Sequence, residues 1–304
     1  MVENVAETIC KISRKHLEKN NGILLGQCLT AVGYVAGTVP EMNEEEGIIE
    51  VPTADVANGS FAVGMALAGR RPIYIVRYQG FQTYNSPEII NYAAKSKQMW
   101  GIPCPIFIRS IAMEGAIGPV ASASHHGLFY RSPGIPIVAP MTPKEYLDAW
   151  DFFMKNDDPI YVSEHRRSFP IDYEMEDEVH QKADITLLPI SATRLNSIEA
   201  KKELEKKGIK TNLVHLSWIR PFKISETMEY ALKNSDRGAL IIDGDYSNGV
   251  AKPLAHDLHL ITGSEVRALG LEERVSGFAP QFDVLAPTAE RIYTYVLEIL
   301  KALH

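Results

Sequence analysis

Two adjacent histidines, His125 and His126, stand in a Gly-flanked segment of the sequence. Histidine changes its protonation state near neutral pH, so it commonly carries protons in enzymes. The pair is therefore a candidate site of proton transfer to or from a bound molecule. The alternative is a loop pair that contacts only solvent or a partner protein. No metal-ligand spacing, nucleophile elbow or phosphate-binding loop occurs in the sequence.

A second candidate for acid–base chemistry is Asp55, which precedes residues 56–69, a stretch rich in Ala, Gly and small apolar side chains. Burial beside such a stretch would raise the pKa of the carboxyl group toward neutrality, where a general acid–base group works best. Aspartate is also a favoured N-cap, so the competing interpretation is that Asp55 caps a helix beginning near residue 56. Glu50 is the alternative carboxylate.

These side chains must be positioned by an alternation of strands and helices. Short apolar runs predict strands at residues 23–27, 47–51, 72–76, 105–109, 135–140, 159–164, 185–190, 211–216 and 239–243. Helical periodicity predicts helices at residues 5–20, 56–69, 87–99, 142–156, 196–207, 224–234 and 287–303. Thr142 and Pro143 suit the N-cap and first position of one of them. This alternation is typical of α/β folds with largely parallel sheets.

The composition excludes several classes of protein. The chain has 304 residues, and its 31 basic and 38 acidic side chains give a net charge of −7, which argues against a nucleic-acid binder. No apolar run approaches the roughly 20 residues that cross a bilayer. The start of the sequence has no secretory signal pattern. Three scattered cysteines form neither a disulfide framework nor a zinc site, so we expect a reducing, cytoplasmic setting.

Local stretches resemble the β subunit of the thiamine-diphosphate-dependent decarboxylating component of 2-oxo acid dehydrogenases, of the pyruvate and branched-chain type, within the transketolase superfamily. One of them is DVANGSFAVGMALAGRRP at residues 55–72, which is similar to a family helix that begins with an acidic residue and closes with Gly-x-Arg-Pro. Further similar stretches lie at residues 22–28, 77–95, 132–146, 183–222, 240–250 and 286–292. Their order implies two three-layer α/β domains: a pyrimidine-binding domain at 1–168, a linker at 169–184 and a transketolase C-terminal-like domain at 185–304.

The resemblance also implies roles for individual residues. Asp55 falls where the family has a glutamate that hydrogen-bonds the pyrimidine ring of thiamine diphosphate and promotes its activation. Tyr78, Phe81 and Gln82 fall in the aromatic segment that contacts this ring, although aromatic residues at a strand end also commonly pack in the core. His125 and His126 lie near a family histidine. Glu164-His165-Arg166 could bind an anion, but a solvated charged turn is the preferred interpretation.

The family holds the cofactor diphosphate through Mg²⁺ with a Gly-Asp-Gly module, and this sequence shows no such module in the matching context. We therefore expect an α-type partner subunit, in an α₂β₂ enzyme that acts on a 2-oxo acid and serves, where present, a lipoyl acyltransferase. Departures from the family pattern include Asp55, Gln27 in place of an acidic residue, and Gly118-Pro119-Val120-Ala121-Ser122, which lacks the histidine of the similar Gly-Pro-Thr-His-Gln sequence in transketolases. They keep two alternatives open: a split transketolase or carboligase, and a non-catalytic assembly subunit.

Overall fold

The protein is described by a computed structural model that covers residues 3–301. Its chain divides into two compact units. The first consists of the described residues up to Met113 together with Leu128–Glu174, and the second consists of Glu114–Gly127 together with the chain from Met175 onward. The second unit thus includes a segment from within the predicted range of the first domain. Among residues 3–301, no helix is both long enough and apolar enough to span a bilayer.

The first unit is built on a parallel sheet. Its strands follow the order β2-β1-β3-β4-β6-β5, and every residue of β1, β3, β4 and β6 is buried. Continuous burial is expected of a parallel sheet that is covered on both faces. The strands are β1 (Ile23–Gly26), β2 (Ile48–Glu50), β3 (Pro72–Val76), β4 (Phe107–Ala112), β5 (Ile137–Val138) and β6 (Ile160–His165).

Helices cover both faces of this sheet, because neighbouring strand residues point in opposite directions. Phe107 packs against Trp150 and Phe153 on one face, while Tyr161 stacks on Phe129 at 4.6 Å on the other. The helices are α1 (Val5–Lys19), α2 (Ala31–Gly37), α3 (Asp55–Leu67), α4 (Gln82–Glu88), α5 (Ala94–Trp100), α6 (Gly127–Tyr130) and α7 (Pro143–Lys155), and a π-helical turn, Ile89–Ala93, joins α4 to α5.

Three local features of these helices are specific to their residues or backbone. Thr142 caps α7, accepting a hydrogen bond from the Glu145 amide, with Pro143 in the first turn, as predicted. Helix α3 packs closely against α4, and a Cβ at Gly59 would lie 2.5 Å from the Asn85 carbonyl oxygen, so this crossing requires glycine. The short segment α2 winds left-handed, with φ between 51° and 58° from Val32 to Ala36.

The second unit has its own parallel sheet, in the order β11-β10-β7-β8. Helices α8 and α11 pack against each other and share a core with these strands. The strands are β7 (Ile185–Pro189), β8 (Thr211–Leu213), β9 (Trp218–Arg220), β10 (Ala239–Tyr246) and β11 (Val266–Leu271). The helices are α8 (Thr193–Lys206), α9 (Glu226–Lys233), α10 (Ala251–Thr262) and α11 (Ala289–Lys301).

The predicted fold class, α/β with two domains built on parallel sheets, is therefore confirmed. The last two residues of the predicted helix at 287–303 lie outside the described part of the chain. Strands β9 and β11 and helices α2, α6 and α10 have no counterpart among the predicted elements.

Candidate functional site

Asp55 is the first residue of α3, and its carboxylate is directed back toward the sheet. The Gln27 side-chain amide donates a 2.7 Å hydrogen bond from Nε2 to Asp55 Oδ1. The N-cap of α3 is Ala54, and no side chain caps this end of the helix. The alternative in which Asp55 serves as the N-cap is therefore wrong. Oδ2 of Asp55 accepts no hydrogen bond from another residue within 3–301 and is available to a ligand.

The environment of Asp55 favours its protonated form. Burial of this half-exposed side chain raises the pKa of the carboxyl group above its ordinary value of 3.8, and the hydrogen bond from Gln27 acts in the opposite direction. Gln27 itself is 5% exposed and follows the last residue of β1. The sequence marks Gln27 only as a departure from a family pattern. Its pairing with Asp55 is a tertiary contact between residues 28 positions apart.

Glu50, the alternative carboxylate, has a different environment. Its Oε2 accepts hydrogen bonds from the Thr30 amide at 3.1 Å and the Thr30 hydroxyl at 2.8 Å. Glu50 is exposed at the end of β2, and these bonds tie that strand to the residue preceding α2. Glu50 therefore holds the loop that precedes α2 in place.

The predicted aromatic residues lie at the same edge of the sheet as Gln27, because β1 and β3 are parallel neighbours and Tyr78 closely follows β3. The rings of Tyr78 and Phe81 are half-buried, 6.1 Å apart between centroids and tilted by 38°. Gln82 has no exposed surface, and its amide nitrogen donates to the Ser110 and Tyr161 hydroxyls. Tyr78 and Phe81 can therefore contact a flat ring directly, whereas Gln82 supports the layer beneath them.

The histidines belong to the second unit, where they occupy unlike environments. His126 has no exposed surface, and its Nε2 lies 2.9 Å from Asp243 Oδ2 and 4.0 Å from Asp245 Oδ2. Asp245 in turn accepts hydrogen bonds from the Gly127 amide at 2.7 Å and the Tyr246 amide at 2.6 Å. These contacts fix the end of the histidine segment against β10. We refer to His126, Asp243 and Asp245 as the buried histidine cluster.

Charge within the buried histidine cluster is shared between a cation and two carboxylates. Burial opposes the charged form of His126, but the carboxylates of Asp243 and Asp245 outweigh it and raise the pKa of the imidazole above 6.5. Burial also raises the pKa of the Asp245 carboxyl to about 6. Local sequence patterns cannot indicate this cluster, because residues 126 and 243 are 117 positions apart.

His125 is half-exposed, and its Nε2 lies 3.2 Å from the Ser122 carbonyl oxygen. Its ring lies 6.3 Å from that of Tyr246. Burial and the neighbouring charge of His126 lower the pKa of His125, with the Ser122 carbonyl acting against them. A neutral imidazole near pH 7 can accept a proton. Of the two histidines, His125 is thus the one placed to meet a small molecule.

The segment Glu164-His165-Arg166 is not a solvated turn, so that interpretation is wrong. Glu164 and His165 are 1% and 3% exposed at the end of β6. Glu164 accepts two hydrogen bonds from the Arg109 guanidinium, at 2.7 and 3.0 Å, and a third from the Tyr146 hydroxyl at 2.6 Å. This buried ion pair belongs to the core of the first unit. Within residues 3–301, no cluster of His, Cys, Asp and Glu side chains is arranged to hold a metal ion.

The buried histidine cluster leads to a prediction on pH and stability. The folded state raises the pKa of His126, so its stabilising contribution is full below pH 6.5 and is lost as the pH rises through the raised value. His126→Gln should lower the free energy of unfolding by about 3 kcal/mol at low pH, the lower end for breaking a buried ion pair. The deficit relative to wild type should shrink at alkaline pH. Urea denaturation at a series of pH values measures this.

His125→Gln is the matched control for this experiment. Because the pKa of His125 is lowered in the folded state, its deficit relative to wild type should move with pH in the opposite direction. A deficit for His126→Gln that is independent of pH would show that the imidazole is uncharged in the folded protein.

Comparisons with known proteins place this geometry in context. Residues 14–171 match the family model of the transketolase pyrimidine-binding domain. The β subunit of the pyruvate dehydrogenase E1 component of Staphylococcus epidermidis is 24% identical over 229 residues, which are 70% of each chain. The 2-oxoisovalerate dehydrogenase β subunit of Bacillus subtilis is 26% identical over 258 residues, which are 78% of this chain and 77% of that one.

Solved structures agree on the fold. Transketolase from Campylobacter jejuni superposes with a TM-score of 0.73 at 17% identity, over 97% of this chain and 46% of that one. The chain therefore spans about half the length of such transketolases. The β chain of a split-gene transketolase, solved as an inactive β₄ tetramer, superposes with a TM-score of 0.69 at 17% identity and is covered over 99% of both chains.

Proposed function

The chain belongs to the family of transketolase pyrimidine-binding domains, and we propose that it is the β subunit of a thiamine-diphosphate enzyme that decarboxylates a 2-oxo acid and transfers the resulting acyl or hydroxyalkyl group. The observation that supports this most is the carboxylate of Asp55. It is held by Gln27 at the sheet edge where Tyr78 and Phe81 follow the neighbouring strand. The named β subunits of two 2-oxo acid dehydrogenases match most of the chain.

The residues present fit the pyrimidine ring of thiamine diphosphate. Asp55 offers Oδ2 to a ring nitrogen, and its raised pKa suits a carboxyl group that shares a proton with that nitrogen. Tyr78 and Phe81 offer half-buried aromatic surface to a flat ring. When bound, thiamine diphosphate supplies the nucleophilic carbon and the electron sink for breaking the bond beside a substrate carbonyl. His125 is proposed to exchange a proton with the substrate or acceptor.

A partner must complete this site. We infer that an α-type subunit holds the diphosphate and Mg²⁺, in an α₂β₂ assembly. The outer surface of α3 supports an association of this kind, because Val56, Phe61 and Leu67 are 56%, 58% and 46% exposed. Apolar side chains exposed together on one helix commonly mark a protein interface. A lipoyl acyltransferase is the expected acceptor partner if the enzyme is a dehydrogenase component.

Cofactor binding by the isolated chain tests partner dependence. The purified chain alone should show no measurable heat of binding with thiamine diphosphate and Mg²⁺ in calorimetry, because it supplies only the pyrimidine side of the site. The chain co-purified with its α-type partner should bind. Micromolar affinity of the isolated chain would contradict the proposal that the site is shared.

A split transketolase or carboligase is the second candidate function, and one observation favours it: the split-gene transketolase β chain is matched along its whole length. The two reactions differ in their products. The co-purified complex should release CO₂ from a 2-oxo acid if the first proposal is correct. Transfer of a two-carbon unit from a ketose to an aldose without CO₂ release would select the second.

A further inference from the structure

Arg77 is a buried arginine for which residues 3–301 supply no counter-charge. It follows β3 directly, precedes Tyr78, and is only 5% exposed. Its Nη1 is buried and has no hydrogen-bond partner in the described part of the chain. Within the described residues, no carboxylate lies within 4.0 Å of this guanidinium. The centroid of the Tyr78 ring lies 5.9 Å from its guanidinium carbon.

Arg109, in the same sheet, shows how the first unit accommodates a buried arginine that serves the fold. It has no exposed surface and is held by Glu164 through two hydrogen bonds of 2.7 and 3.0 Å. The Thr38 carbonyl oxygen adds a contact at 3.5 Å. Arg109 is thus neutralised within its own unit, whereas the described residues of that unit offer Arg77 no such partner.

A desolvated guanidinium that lacks an anion destabilises the folded chain, because the loss of hydration is not offset by an ion pair. Such a group is retained when a ligand supplies the missing charge. Arg77 lies at the carboxyl end of a parallel strand, where ligands of open α/β sheets bind. Its planar fork of N–H donors matches a carboxylate in a two-point contact.

We propose that Arg77 is the binding residue for the carboxylate of the 2-oxo acid substrate. This inference rests on the proposed function and adds a specificity element to it. Tyr78 connects the proposed carboxylate site with the proposed cofactor site, since the ring proposed to lie against the cofactor is also a neighbour of Arg77. The diphosphate, by contrast, is assigned to the partner subunit.

The full-length isolated chain provides the first test, through thermal unfolding with pyruvate, with inorganic phosphate, and with chloride at equal ionic strength. A ligand that binds only the folded state raises the melting temperature. Pyruvate should raise it for the wild type and not for Arg77→Gln. Without anions, Arg77→Gln should melt above the wild type, because the variant removes an uncompensated buried charge. Arg131→Gln, at an exposed arginine of the same unit, should behave like the wild type.

The complex with the α-type partner provides the second test. Arg77→Gln should raise KM for the 2-oxo acid by roughly thirtyfold or more, the lower end for truncating one side of a desolvated charge pair. The KM of Arg77→Lys should lie between those of the wild type and Arg77→Gln, because lysine keeps the positive charge but lacks the planar fork of N–H donors. The affinity for thiamine diphosphate should not change.

Several outcomes would overturn the assignment: no response of the wild-type chain to pyruvate, a response to phosphate alone, or an unchanged response in Arg77→Gln. Failure of Arg77→Gln to assemble with the partner would instead assign Arg77 to a subunit contact. If the complex releases no CO₂ from any 2-oxo acid while pyruvate still stabilises the chain through Arg77, the proposed function fails and the carboxylate site remains.

Discussion

Asp55→Asn should lower the turnover of the assembled enzyme by about a hundredfold or more, the usual loss when a positioned acid–base group is removed. The asparagine amide keeps the size of the side chain and its contact with Gln27, but it cannot share a proton with the pyrimidine. Folding should change little, because Asp55 is half-exposed and does not cap α3. Steady-state turnover of the complex, with circular dichroism of the variant, measures both effects.

Glu50→Gln is the matched control, since it neutralises the alternative carboxylate, which accepts two hydrogen bonds from Thr30. Its turnover should stay within a few-fold of the wild type. Asp55→Glu, which restores the longer arm of the family residue, should retain activity if the pocket accepts it. Full activity of Asp55→Asn together with a loss in Glu50→Gln would move the role to Glu50.

Replacing both His125 and His126 with alanine should lower turnover by roughly ten- to ten-thousandfold, the range for a positioned proton donor or acceptor. Hydrogen–deuterium exchange at the thiazolium carbon of bound thiamine diphosphate should be spared, because its activation depends on the Asp55 carboxylate and the cofactor's own amino group. Quenched-flow exchange followed by NMR separates the two quantities. An equal fall in exchange and turnover would assign the pair to the structure or to cofactor binding.

Single substitutions should show how much each histidine contributes to the loss of turnover. His125→Ala should account for most of the loss in turnover, because His125 is the half-exposed member of the pair. His126→Ala should act mainly on stability, since its ring is enclosed and bonded to Asp243. A larger catalytic loss for His126→Ala at unchanged stability would reverse these roles.

Much of the fold could be predicted from local patterns. Apolar runs mark fully buried parallel strands such as β3 and β6, and the Thr142-Pro143 pair marks the start of α7. Helix α10 was missed because Pro253 stands in its first turn, and Leu260 and Ile261, at 68% and 67% exposed, obscure its buried face. Strand β11 was missed because its first three residues are only partly buried, so it lacks a continuous apolar run.

Only part of the candidate site could be predicted from the sequence, and the reason is physical. Asp55 and His125 are residue types that suggest acid–base chemistry, whereas the role predicted for Tyr78 comes from the family resemblance. The groups that set their environment come from remote positions. Gln27 reaches Asp55 from another strand, and Asp243 reaches His126 across 117 residues. The missing counter-charge of Arg77 is likewise a property of the packed unit, because any of the 38 acidic residues could have supplied it.

The discontinuity of the second unit has a consequence for biosynthesis. Glu114–Gly127 belongs to that unit, yet its partner Asp243 is synthesised 117 residues after His126. At roughly 5 to 20 residues per second, the segment waits about 6 to 23 s on the ribosome before its carboxylate exists. During that interval it cannot form its native contacts with β10. The second unit therefore cannot be completed by either half of the nascent chain alone, and a gene fragment that starts at Met175 encodes it without His125 and His126.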